Sequence, residues 1–178
     1  MAHRQRLLEL ISEYAARHPE EAEVVERFVS FIEANERCFE RDCWAGHITG
    51  SAWLLNPART HVLLTHHRKL GRWLQLGGHS DGESNTPLAA QREAEEESGL
   101  SVRLLDERIF DLDVHEIPAR RSDPAHYHFD VRFLFESAGE DFSISGESLD
   151  LAWVPIAELE GLTDEVSVLR MGWKWLRR

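Results

Sequence analysis

The spacing of apolar residues changes character near residue 40. Before it, Leu7, Leu8, Leu10, Ile11 and Tyr14 recur at helical spacing over residues 4–16. After His18-Pro19, Val24, Val25, Phe28, Val29 and Ile32 do the same from about Glu20 to Asn35. This period predicts two amphipathic helices joined by a short break, an αα-hairpin over residues 1–40 that precedes a main domain at 41–178. The hairpin reads as a packing or dimerisation element, the latter giving a homodimer. A cap over a bound ligand is the alternative reading.

From His47 the pattern changes to runs rich in strand formers. His47–Leu55 predicts a strand, Asn56-Pro57-Ala58-Arg59-Thr60 a turn, and His61–Thr65 the returning strand of a hairpin. A basic turn, Arg68–Arg72, leads to a short strand at Trp73–Leu76. Further on, Ser101–Val114 is mostly strand-like, and His115–Pro124, with two prolines, predicts a loop. Ala125–Glu136 alternates most clearly. Tyr127, Phe129, Val131, Phe133 and Phe135 occupy one face, and His126, His128, Asp130 and Arg132 the other. The aromatic face is expected in the core. On the other face, His126, His128 and Asp130 suit a metal, a general base or a substrate contact, and equally a solvated sheet surface. Ser137–Glu147 is a polar loop, and Leu151–Ile156 a last strand with Pro155 at its end or on an edge. A helical turn over Ile156–Leu162 and a C-terminal helix capped by Asp164 complete the chain. Strands between helices in this order predict an α/β/α sandwich around a mixed sheet, with the N-terminal helical hairpin added.

Between the third strand and Ser101 lies the stretch with most chemistry, Gly77 to Leu100. It is a glycine-rich loop entering an acidic helix. Thr86 is expected as N-cap, Pro87 as the first helical residue and Gly99 as the left-handed residue that ends the helix. Glu93, Glu96 and Glu97 then share one helical face. Like charges at this spacing repel by roughly 0.2–0.5 kcal/mol per pair on an isolated helix, and more when buried. A divalent cation with oxygen ligands removes that repulsion, and Mg²⁺ typically combines a few carboxylates with water and substrate phosphate. Taken alone, an acidic helix is usually a solvated face. The glycine loop before it and Ala90, Ala94 and Ser98-Gly99-Leu100 along it set this one apart.

Gly77–Leu100 resembles the Nudix box, G-x5-E-x7-R-E-U-x-E-E-x-G-U, where U is apolar. Gly77 and Glu83 match its start, and Arg92-Glu93-Ala94-Glu95-Glu96-Glu97-Ser98-Gly99-Leu100 matches its second half. One extra residue separates Glu83 from Arg92, in the loop before the helix. The resemblance extends plausibly from His47 to the C-terminus and does not cover the first forty residues.

The resemblance implies hydrolysis of a nucleoside diphosphate linked to another moiety, with Mg²⁺ (or Mn²⁺) as cofactor. It implies that Glu93, Glu96 and Glu97 hold metal with a backbone carbonyl of Gly77 or Gly78, and that Arg92 orients a carboxylate such as Glu83 or Glu96. In this family a further acidic residue often comes from the loop before the last strand, and Glu147 is the candidate, with Glu140 and Asp141 behind it. Arg72 and Lys69, near the strand that enters the box, are candidates to meet phosphate. Two other readings stay open: a Nudix-fold ligand-binding or regulatory module, and an isoprenoid diphosphate isomerase, which would use a pocket cysteine. Cys38 and Cys43 precede the first strand and suit reduced thiols in a cytoplasmic protein; with His47 alone they do not complete a zinc site.

Composition narrows the partners. The net charge of −12 argues against non-specific binding to nucleic acid or to anionic membrane, which needs a basic footprint. A bound metal would still admit an anionic substrate. The N-terminal stretch has no long apolar run, so neither a signal peptide nor a membrane span is expected.

Overall fold

The computed structural model describes residues 2–119, 123–146 and 148–178. Helices α1 (Ala2–Arg17) and α2 (Ala22–Ala34), joined through a 3-10 turn at Pro19–Glu21, form the hairpin. Strands β1 (His47–Leu55), β2 (His61–His67) and β3 (Arg72–His79) precede α3 (Thr86–Ser98). Then come β4 (Val102–Leu104), β5 (Asp111–Ile117), β6 (His126–Ser137), β7 (Ser148–Pro155), a 3-10 turn at Ile156–Gly161 and α4 (Val166–Leu176).

One mixed sheet carries these strands in the order β4-β6-β1-β3-β2-β7, with β5 also paired to β6. β1 runs parallel to β6 in the register His47 to His128 through Leu55 to Glu136, while β1 and β3 are antiparallel with Ser51 opposite Gly77. Every residue of β1 is buried, as expected of a central strand covered on both faces. On one face Ile48, Ala52, Leu54, Phe129, Val131, Phe133 and Phe135 share a core with α3 and the hairpin; on the other Trp53, Leu55, Val62, Leu64 and Leu134 meet the Ile156–Gly161 turn and α4.

The hairpin packs into this core. Leu7, Leu10, Ile11, Tyr14, Phe28 and Ile32 are all buried in it. Phe31 stacks on Phe129 at 3.9 Å between ring centroids, and Phe28 meets the same ring edge-on at 5.3 Å.

Several boundaries differ from the sequence expectation. Asn85, not Thr86, caps α3, and Glu165, not Asp164, caps α4. β5 runs on through Ile117, because its residues pair along β6 from Arg132 to His126. Tyr127 is 41% exposed although it belongs to the aromatic face; near the end of β6 it meets the Arg27 guanidinium of α2, 5.6 Å from its ring centroid, rather than apolar core.

The seat of α3 is set by Gly50. A Cβ there would lie 2.9 Å from the Ala90 nitrogen and 3.1 Å from the Thr86 carbonyl oxygen. Both are helix backbone, so the helix itself would have to move. Gly50→Ala is expected to destabilise the protein by about 1–3 kcal/mol, read as a lower urea midpoint. An unchanged midpoint would show that α3 tolerates displacement.

Candidate active site

The α3 carboxylates meet the end of β3 because the helix lies across β1 and β3. Glu97 is buried, and its Oε1 accepts the Gly77 N–H at 2.9 Å. Glu93 sits against Gly78, where a Cβ would come within 2.2 Å of Glu93 Oε2. A side chain at Gly78 would push that carboxylate aside. Arg92 Nη2 donates to Glu93 Oε1 at 2.8 Å and to the His79 carbonyl at 2.6 Å, while its Nε lies 4.0 Å from Glu96 Oε1. Glu96 is exposed. Arg92 therefore fixes Glu93, faces Glu96 and ties the helix to the strand end.

Glu83 is not Arg92's partner. Its Oε1 accepts the Asn85 N–H at 2.7 Å and so orders the turn into α3. The extra loop residue explains this: counted back from Arg92 at the box's usual spacing, the glycine falls on Gly78 and the acidic position on Ser84. The contact between Gly78 and Glu93 agrees with that count.

Burial is the largest influence on Glu93 and raises its carboxyl pKa against the pull of Arg92. Arg92 thus faces two of the helix carboxylates, Glu93 and Glu96, while Glu97 is held by the Gly77 backbone. The donor atoms of these carboxylates are oxygens, the ligand type that Mg²⁺ and Mn²⁺ prefer over softer metals. In donor type alone, the residues present fit such an ion. A hollow of about 350 Å³ runs along the exposed side of α3 past Leu88, Gln91, Arg92, Glu95 and Glu96.

Other candidates lie elsewhere. Arg72 stands at the opposite end of β3 and pairs with Glu165 at 2.7 Å; Lys69 is exposed in the preceding turn. Glu140 accepts the Asn56 amide at 2.7 Å, and its carbonyl accepts the Trp153 indole N–H at 2.9 Å. Glu147 lies outside the described residues. Asp130 is buried and fully engaged in the scaffold: it accepts from the Thr49 and Ser51 hydroxyls, the Gln75 amide and Arg132 Nε, all within 3.1 Å. Both cysteines are free thiols; burial pushes Cys38 up to about 12 and raises Cys43 as well. Neither is an activated nucleophile, which weighs against the isomerase reading.

His126 and His128 do converge, and with residues from other strands. The β1–β6 register brings His47 beside His128, with ring centroids 4.7 Å apart, and His47 lies 4.8 Å from His126. His79 is 5.0 Å from both His47 and His128. Burial, then neighbouring positive groups, lowers His47 and His79 from 6.5 to about 4 and His128 to about 2. These rings are neutral in the folded protein at neutral pH.

A pH dependence follows. Between about 6.5 and 4 the unfolded chain protonates these histidines and the folded chain does not. The unfolded state then binds more protons, so stability is full above 6.5 and drains as the pH falls toward 4. His47 alone accounts for on the order of 3 kcal/mol. In chelator-treated protein the urea midpoint is expected to fall across this window, and less steeply in His128→Gln. A flat midpoint would contradict the buried neutral cluster. The lowered carboxyls of Asp111 and Asp113 act only below their ordinary 3.8, outside the window.

The fold and this acidic helix define a Nudix-type α/β protein. A family model described as NUDIX domain matches residues 47–171, and the chain belongs to that family. Solved structures agree in fold. A hydrolase of the NUDIX family from Clostridium perfringens is 24% identical, with a TM-score of 0.54 over 74% of this chain and 97% of its own. The E. coli dihydroneopterin triphosphate pyrophosphohydrolase is 16% identical, with a TM-score of 0.58 over 74% of this chain and 96% of its own. A MutT protein from Methanosarcina mazei Go1 is 17% identical, with a TM-score of 0.57 over 76% and 96%. No curated protein matches the chain. Membership points to hydrolase chemistry on pyrophosphate bonds. Among the described residues no helix is long and apolar enough to cross a membrane.

Proposed function

We propose that this chain is a cytoplasmic Mg²⁺- or Mn²⁺-dependent pyrophosphohydrolase that cleaves a phosphoanhydride bond in a nucleoside diphosphate linked to another moiety. The observation that carries this is the convergence of Glu93 and Glu97 on Gly78 and Gly77, with Arg92 bonded to Glu93. Glu93, Glu96 and Glu97 would hold the metal, with a carbonyl from Gly77 or Gly78; Glu147 is kept as a further ligand or base. The metal, when bound, would neutralise phosphate oxygens and make water nucleophilic near neutral pH.

The chain's own part is positioning. Glu97 is locked by the Gly77 N–H, so its carboxylate enters the site without rotamer search. Arg92 holds Glu93 and compensates part of the acidic charge before the site is loaded. The general base is one of the helix glutamates, Glu147 or a histidine. The E. coli neighbour's substrate, dihydroneopterin triphosphate, belongs in the test panel, but at that identity the likeness supports the fold alone.

The test is release of phosphate or nucleotide from nucleotide derivatives, dihydroneopterin triphosphate and non-nucleotide pyrophosphates, with Mg²⁺ or Mn²⁺, by wild type and Glu97→Gln. Turnover on a nucleoside diphosphate derivative, lost in the variant, is the expected result. Silence across the panel with ligand binding intact would make the chain a binding module.

A further inference from the structure

Beyond the acidic helix face, the structure holds a second group of chemistry-bearing side chains that the proposed hydrolysis does not use. His47, His126 and His128 each offer a ring nitrogen, and the three nitrogens lie within 4.8 Å of one another. The grouping is built into the backbone. His47 pairs with His128 in the parallel β1–β6 register, and His126 stands two residues earlier on the same face of β6.

The hydrogen bonding of the rings points to a ligand. His47 is 2% exposed, yet neither of its ring nitrogens has a partner at good hydrogen-bond geometry; the Cys43 backbone is close enough to favour the protonated ring but not to satisfy it. His128 Nε2 is likewise buried without a partner. A buried imidazole with no partner loses its hydration with nothing in return. His126 is arranged differently. Its Nδ1 lies 2.8 Å from the Pro124 carbonyl, which can only accept, so Nδ1 carries the proton. That leaves Nε2 as a lone-pair donor. A ligand histidine is typically fixed in this way, with its other nitrogen donating to a backbone carbonyl.

We propose that His47, His126 and His128 form a binding site for a first-row transition-metal ion, Zn²⁺ by preference, separate from the carboxylates of α3. Three imidazoles are a ligand set for zinc and its neighbours, whereas Mg²⁺ takes oxygen donors. Zinc at about 2.0–2.1 Å from each nitrogen would set them about 3.3 Å apart, so the rings need only small rotations to close. Three protein ligands leave a fourth position open. His79 borders the cluster, 5.0 Å from His47 and His128, and its own carbonyl accepts from Arg92. The ion would therefore pin β1 to β6 next to the strand end that carries the glycine loop. Trp44 covers His126 edge-on at 6.0 Å.

The test uses the whole chain, stripped with chelator and returned to excess Mg²⁺ so that hard-ligand sites are filled. Zinc is then added, free ion is removed and metal is counted by mass spectrometry. One zinc per chain is expected, with a raised thermal midpoint. Cobalt in place of zinc should give the intense visible bands of a four-coordinate nitrogen site. Zinc affinity should fall by on the order of 100-fold or more in His126→Ala and in His128→Asn, exceeding what outer-shell changes cost, and hold in Glu97→Gln. No uptake by wild type would overturn the site. So would zinc retained in both histidine variants, zinc lost in Glu97→Gln instead, or the weak spectrum of six-coordinate cobalt. If a variant fails to fold, the wild-type cobalt spectrum still decides.

Discussion

Glu97→Gln is expected to lower metal-dependent turnover by about 1,000-fold or more. The argument starts from the hydrogen bond. Gly77 N–H donates to Glu97 Oε1 at 2.9 Å, and a glutamine carbonyl can accept the same bond, so the side chain keeps its place. What changes is charge: one anionic oxygen donor is lost from a set of three carboxylates. A metal's contribution to phosphoanhydride cleavage is several kcal/mol, and about 4 kcal/mol corresponds to roughly three powers of ten in rate. The variant should fold like wild type and need more Mg²⁺ for half-saturation. Glu95→Gln is the matched control, because Glu95 instead faces Gln91 and the Val102 N–H. It should keep near wild-type turnover. Equal loss in both variants would mean that general acidity of the helix, not the Glu97 position, carries the activity.

The features legible in the sequence are those that depend on neighbours along the chain. Gly99 ends α3 at φ +69° as its position after Ser98 implies, and β1 spans the nine residues rich in strand formers that precede the Asn56 turn. The shared face of Glu93 and Glu97 follows from helical spacing alone. What the sequence hid is set by register. His47 and His128 meet across a parallel pairing 81 positions apart in the chain, and His47 considered with Cys38 and Cys43 gave no reason to expect it. The polar face of β6 misled in a second way. Asp130 and Arg132 have the alternation of a solvated surface, yet both are buried, because α4 covers that side and the charges satisfy one another. Loop length hid a third feature: the extra residue before α3 moved the glycine against Glu93 from Gly77 to Gly78.

Asp111→Asn is expected to destabilise the protein by about 3–5 kcal/mol, the cost of breaking a buried ion network from one side. Asp111 is wholly buried at the start of β5. It accepts from Arg132 Nη1 at 3.0 Å, from Arg170 at 2.7 Å and from Lys174 Nζ at 2.7 Å. Arg132 comes from β6 and the other two from α4. Lys174 also donates to the Tyr14 hydroxyl at 2.6 Å and pairs with Glu21 at 2.5 Å, so the network reaches the hairpin. One carboxylate thus anchors the sheet edge, the C-terminal helix and the N-terminal hairpin together. An amide keeps the shape but leaves, among the carboxylates of the described residues, Asp130 and Asp113 to pair with Arg132 and Asp113 to pair with Arg170. The cations are then buried with less than their matching charge, and the desolvation already incurred is no longer offset. Arg37→Ala, which breaks an exposed pair with Asp42, should cost below about 1 kcal/mol. Urea unfolding of the three proteins separates the two cases. A cost for Asp111→Asn no greater than that of Arg37→Ala would mean that apolar packing alone holds the hairpin and α4 to the sheet.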